Sequence, residues 1–98
     1  MKIAHAAEGF GLDVEPHGPG PARRQCMASM RNSNYYEMGL VHPRIPTFHP
    51  PIYGDGYEDD LHAIDENGFV KVPEKPGLGV PIDWDFIDKN TIDHVVYE

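Results

Sequence analysis

Two side chains have the type and placement for acid–base chemistry. His17 directly follows the short apolar run Leu12–Pro16 (LDVEP), and Glu37 sits inside a second apolar run, Tyr35–Val41 (YYEMGLV). An imidazole takes or gives a proton near neutral pH, and the ends of strands form the functional face of α/β folds. The plainer role for such a histidine is a loop residue hydrogen-bonded to backbone. A carboxyl group between Tyr36 and Met38 is costly to bury without a partner. Glu37 therefore points to solvent, pairs with an arginine, or shares a mouth with His17. Adjacent parallel strands lie about 4.8 Å apart, so groups at their ends can reach one substrate.

Other polar groups have weaker patterns. Asp55, Glu58, Asp59, Asp60, Asp65 and Glu66 form an acidic run. It lacks the alternation of an EF-hand loop and reads as a solvated charge run. His42 and His49 flank a proline-rich loop and suit structural or surface roles. Arg23 and Arg24 stand at a helix start, where cations are mildly unfavourable, and acidic groups elsewhere can claim them. Cys26 reads as a small core residue, and Trp84 and Phe86 as packing anchors.

The elements that must position these groups follow from spacing. Ile3, Ala6, Ala7 and Phe10 repeat at helical intervals, and Gly11 is placed to end that helix. LDVEP reads as a strand and HGPGP as a loop. Pro21 opens a second helix running to about Arg31, with Ala22, Cys26, Met27 and Met30 on one face. YYEMGLV reads as a second strand. The order αβαβ contains the minimal parallel unit of doubly wound sheets and barrels. The stretch from His42 to Gly68 is too long for an ordinary connection and reads as a functional or interface loop. Phe69, Val70 and Val72 form a short extended run, PEKPGLGVP a rigid turn, DWDFIDKN a short helix capped by Asp83, and IDHVVY a terminal strand.

Composition limits the function. Sixteen acidic residues against eight basic ones give a formal net charge of −8. That argues against nucleic acid and against an anionic membrane surface, while a small anionic substrate stays compatible. The single cysteine excludes an internal disulfide and a thiolate zinc site, and it points to a reducing, cytoplasmic compartment. No stretch approaches the ~18 apolar residues of a membrane span, and the opening residues do not read as a signal peptide.

The run DVEPHGPGPARRQCMASMRNSNYYE, followed by VPEKPGLGV and DWDFI, resembles the C-terminal end of the enolase superfamily. Within it the likeness is to the mandelate racemase subgroup and its acid-sugar dehydratases. The resemblance implies an α/β fold, the C-terminal part of a (β/α)7β barrel with a tail returning to a capping domain. Residues 1–41 are then the end of the barrel, 42–64 a Pro-rich loop, and 65–98 the capping segment. LDVEP is the expected seventh strand and Tyr35–Glu37 lie in the eighth. By the same resemblance His17 is the general base or general acid. Glu37 donates or shares a proton with the substrate carboxylate. Mg²⁺ stabilises the ene-diolate left when the proton beside that carboxylate is removed. In a dehydratase the histidine then protonates the departing β-hydroxyl.

This sequence departs from the family pattern in what it lacks. The three carboxylate metal ligands, the Lys-x-Lys base and the aspartate that orients the histidine belong to earlier strands. Lys71 and Lys75 do not fit the lysine pattern. The expectation is a fragment, inactive alone, whose partners are an acid-sugar carboxylate, the missing N-terminal part of the barrel and cap, and further copies in a homo-oligomer. A mandelate-type racemase or cycloisomerase starts with the same proton abstraction. A different class of reading is a non-catalytic fragment that docks with a missing partner chain.

Overall fold

The computed structural model describes residues 1–39, 44 and 51–97. Its helices are α1 (Lys2–Gly9), α2 (Pro21–Ala28) and α3 (Trp84–Asn90), with a 3-10 turn at Leu61–Ala63. Each begins or ends where local chemistry requires. After α1, Gly11 takes the left-handed conformation (φ +68°), its N–H donates to Glu8 O at 2.9 Å, and Leu12 N–H donates to Ala7 O at 2.9 Å. Pro21 occupies the first turn of α2, where its missing N–H costs nothing. That helix stops short of Arg31, as Ser29 and Met30 donate their N–H groups to Cys26 O and Met27 O at 3.0 Å. The Asp83 carboxylate accepts the Phe86 N–H at 2.9 Å and caps α3 as the sequence predicts.

The two predicted strands do not form a ladder among the described residues. The segments do lie side by side, and Val14 N–H donates to Asn32 O at 2.7 Å. Side chains take over the remaining backbone groups. Glu15 accepts the N–H of Asn34 at 3.0 Å and of Tyr35 at 3.1 Å, and the Ser33 hydroxyl at 3.3 Å. The Asn32 amide donates to Ala4 O at 3.1 Å and Leu12 O at 2.9 Å. Such side-chain bonds compete directly with sheet formation. A two-stranded parallel sheet also leaves both edges and a face bare. The expected barrel end is therefore absent as a sheet, and Leu40 and Val41 lie outside the described residues.

The second half is held by isolated antiparallel bridges, Tyr53 with Ile82 and Ile64 with Val70. The second closes a turn in which Asp65 accepts the N–H groups of Asn67 and Phe69, both at 2.9 Å. The predicted terminal strand Ile92–Tyr97 forms no ladder and is exposed.

The apolar core is small: Ala4 and Met38 are the buried hydrophobic side chains among the described residues. The predicted apolar face of α1 is turned outward, with Ile3 and Phe10 exposed and Ala4 inside. Cys26 is only half-buried, and the buried residues of α2 are Pro21 and Arg24. Trp84 is exposed rather than an anchor. These faces have the right pattern, but no described residue covers them. The accessible surface is 7953 Å², against about 5600 Å² for a folded monomer of this mass. The radius of gyration is 15.8 Å, against about 12.6 Å for a compact domain of this length.

What replaces an apolar core is a buried ion pair. Arg24 Nη2 lies 2.7 Å from Asp59 Oδ1, with side-chain exposures of 7% and 4%. Arg24 Nη1 donates to Lys71 O at 3.0 Å, Nη2 also donates to Glu58 O, and the guanidinium lies over the rings of Tyr57 (4.5 Å) and Tyr36 (5.2 Å). The Asp59 carboxylate accepts the Tyr36 hydroxyl at 2.6 Å and the Tyr57 hydroxyl at 2.7 Å. Burial acts to lower the Arg24 pKa, but the hydrogen bonds that it donates to Tyr36 and Asp59 outweigh it and hold the guanidinium above its ordinary range. Beside this node, the Gln25 amide donates to Pro73 O at 2.6 Å, so α2 is the spine to which the second half is tied.

Candidate acid–base site

The loop His17–Gly20 is short, holds Pro19 and is flanked by Pro16 and Pro21, and it turns the chain from the first extended segment into α2. His17 Nδ1 lies 2.7 Å from Glu37 Oε2, and the Gly18 N–H donates to the same oxygen at 3.0 Å. Arg23 Nε donates to His17 O at 3.2 Å and fixes the loop from the helix side. The structure thus brings together the two residues singled out by position.

Their electrostatics assign the proton. The Gly18 N–H holds the Glu37 carboxyl below its ordinary range; partial burial opposes this, and His17 reinforces it. An ionised carboxylate only accepts, so Nδ1 of His17 carries the hydrogen in this contact, which leaves Nε2 unengaged by Glu37. In this arrangement Glu37 orients the imidazole. The side chains are 92% (His17) and 44% (Glu37) exposed, so the pair stands at the surface of the chain.

The acidic run is largely solvated, as its sequence predicts, with Asp59 as the buried exception, and several of its members have local tasks. Asp59 is buried against Arg24, Asp55 pairs with Lys75, Asp60 caps the 3-10 turn through the His62 N–H at 2.8 Å, and Asp65 closes its turn. Among the described residues no three His, Cys, Asp or Glu side chains gather as a metal site. Members of the enolase superfamily generally bind Mg²⁺. The described residues do not fit that ion: the one carboxylate at the mouth is already engaged by Gly18 and His17. His42 and His49 lie outside the described residues.

Sequence reasoning gave Arg24 an acidic partner without naming it, and missed Tyr36, Asp59 and Glu15 as organising residues. The only available signal was cost: a charged residue inside a short helix, and a tyrosine beside Glu37, each need a partner when buried.

Comparisons with known proteins bear on the family of the chain. The family model for enolase C-terminal domain-like proteins matches residues 1–86. A putative L-rhamnonate dehydratase from Caldivirga maquilingensis is 32% identical over 91 residues, covering 89% of this chain and 21% of that protein. An L-rhamnonate dehydratase from Saccharopolyspora erythraea is 26% identical over 98 residues, covering 96% of this chain and 23% of that protein. The chain spans about a fifth of the length of these curated relatives. No solved structure matches it significantly. With the paired His17 and Glu37 after their extended segments, and a family match running through both into α3, the chain belongs to the enolase superfamily, in its C-terminal domain-like family.

Proposed function

We propose that this chain supplies one acid–base wall of an acid-sugar dehydratase, with the rest of the site provided by polypeptide outside these 98 residues. The observation that carries the reading is the 2.7 Å contact between His17 Nδ1 and Glu37. It leaves Nε2 as the proton-transferring atom on an exposed face. In the reaction, His17 Nε2 takes the proton from the carbon beside the substrate carboxylate and the ring becomes imidazolium. The β-carbon then loses its hydroxyl, which takes that proton from Nε2 and leaves as water, returning His17 to its neutral form. Glu37 holds the imidazole and stabilises its charged form when it is reprotonated. Substrate class is suggested by the relatives named as L-rhamnonate dehydratases. Mg²⁺, if it serves as elsewhere in the superfamily, is held by carboxylates outside the described residues.

The exposed apolar faces support the same reading. Ile3 and Phe10 on α1, Leu12 and Tyr35 on the extended segments, and Trp84 on α3 stand in water, as they do in a piece whose neighbours are elsewhere. The lower strands and cap of a barrel are the proposed covering.

The test is His17→Asn in a complete enzyme that contains this segment, assayed on a panel of acid sugars. Loss of a general acid costs about 10²–10⁴-fold in turnover. A variant retaining near-normal turnover overturns the assignment. The chain on its own, given Mg²⁺ and the same panel, is expected to be inactive. Clear turnover by it removes the need for a second part of the site.

A further inference from the structure

The groups that hold the His17 loop lead back to a residue far from it in sequence. Tyr36 and Glu37 are neighbours, and both bind that loop. Glu37 accepts from His17 and Gly18, while the Tyr36 hydroxyl oxygen accepts the Gly20 N–H at 2.8 Å. Gly20 is held at φ +122°, a conformation closed to side-chain-bearing residues, so its N–H points where this acceptor requires. A phenol has one proton to give, and Tyr36 gives it to Asp59 Oδ1 at 2.6 Å. That bond fixes the lone pairs left for Gly20. Asp59 is in turn held by Arg24 at 2.7 Å and by the Tyr57 hydroxyl at 2.7 Å, and it is buried. Buried hydrogen-bond chains of this kind fix a single geometry because each member loses a partner in any other.

We infer that Asp59 is a positioning residue for the acid–base pair, acting through Tyr36 and the Gly20 N–H to fix the loop that presents His17 to Glu37. The inference rests on the proposed roles of His17 and Glu37. It gives Asp59, which lies within the Pro-rich loop, a part in the chemistry: it sets the aim of the imidazole without touching substrate. It also explains why an aspartate within an acidic run is buried while its neighbours Glu58 and Asp60 are not.

The test uses the full chain and two readouts by NMR, amide hydrogen exchange at Gly20 and the carboxyl titration of Glu37. Tyr36→Phe removes the relay and leaves the Arg24–Asp59 pair intact. It is expected to speed Gly20 exchange by about three- to tenfold, the loss of one hydrogen bond, and to move the Glu37 midpoint upward toward an ordinary carboxyl. The charge-neutral double variant Arg24→Met/Asp59→Leu removes the acceptor without stranding a buried charge. It is expected to give the same two shifts, and adding Tyr36→Phe to it to give no more, as for members of one chain. Tyr57→Phe, which touches Asp59 but not the loop, is expected to leave both readouts in place. Unmoved Gly20 exchange and Glu37 titration in the first two variants overturn the inference, as do equal shifts in Tyr57→Phe. If the shifts appear but His17→Asn keeps turnover in a complete enzyme, the positioning stands and the catalytic reading falls.

Discussion

Removing the Asp59 carboxylate strands the most buried charge in the molecule. In Asp59→Ala the Arg24 guanidinium keeps its 7% exposure but loses its counter-charge. The carbonyls of Glu58 and Lys71 and the two tyrosine faces only partly replace it. Breaking one side of a buried pair costs about 3–5 kcal/mol. A chain of this size has about 5–15 kcal/mol in total, so the variant loses a large share of its stability. With a urea slope of about 1.5 kcal/mol/M, the unfolding midpoint falls by about 2–3 M. Far-UV circular dichroism against urea measures this. The exposed pair between Lys75 and Asp55 is the internal comparison, and Asp55→Ala is expected to cost less than about 1 kcal/mol. Replacing both buried partners, as in Arg24→Met/Asp59→Leu, recovers most of the loss, because no charge is then left alone. A midpoint shift for Asp59→Ala no larger than that of Asp55→Ala, at unchanged slope, refutes the argument that this pair organises the fold.

Three further outcomes follow from the same contacts. Glu15 is held below its ordinary range by the N–H groups of Asn34 and Tyr35, and Glu37 by that of Gly18 and then by His17. Their contribution is present above the ordinary carboxyl value and is lost as pH falls through the lowered folded values. Thermal stability measured from pH 5 downward therefore drops below about pH 4, and the drop is shallower in Glu15→Gln; equal slopes argue against the Glu15 contacts. Burial and then the bond to Asp59 push the phenols of both Tyr36 and Tyr57 above their ordinary range. The stability they confer is intact below about pH 10 and is lost as pH rises further. Among the five tyrosines, these two are expected to ionise last in an alkaline absorbance titration, and simultaneous ionisation of all five in the folded chain contradicts the buried node. Gly79 has φ +82°, and a Cβ there meets Pro73 Cβ and O at 2.6 Å; Gly79→Ala opens the Pro73–Gly79 turn and is expected to lower the urea midpoint and raise amide exchange at Gly79, whereas an unchanged midpoint refutes the tight crossing.

The helices were legible in the sequence because their punctuation is local. Gly11, Pro21 and Asp83 each act within a turn of the residues that they cap. The meeting of His17 and Glu37 was one of three placements that position left open, and the family resemblance favoured it. The absence of a ladder between those runs was not. Glu15 takes the N–H groups that a strand would offer, and nothing in an alternation pattern distinguishes a carboxylate that faces solvent from one that turns back on the backbone. The Arg24–Asp59 pair was hidden for a related reason. Its members are far apart in the chain, and one sits in a run of acids where each residue reads alike. The apolar spacing marked α1 and α3 as helices, but the faces it marked are exposed, because a pattern does not say which polypeptide covers it.

The exposure of Trp84 has a practical consequence. It is the only tryptophan in the sequence, and it stands 63% exposed at the start of α3. Its fluorescence therefore reports the polarity at a single spot. Emission stays red while the indole is wet and shifts to the blue once another surface excludes the solvent. The chain thus carries an intrinsic optical probe, needing no label, for the moment at which this end of the molecule is enclosed.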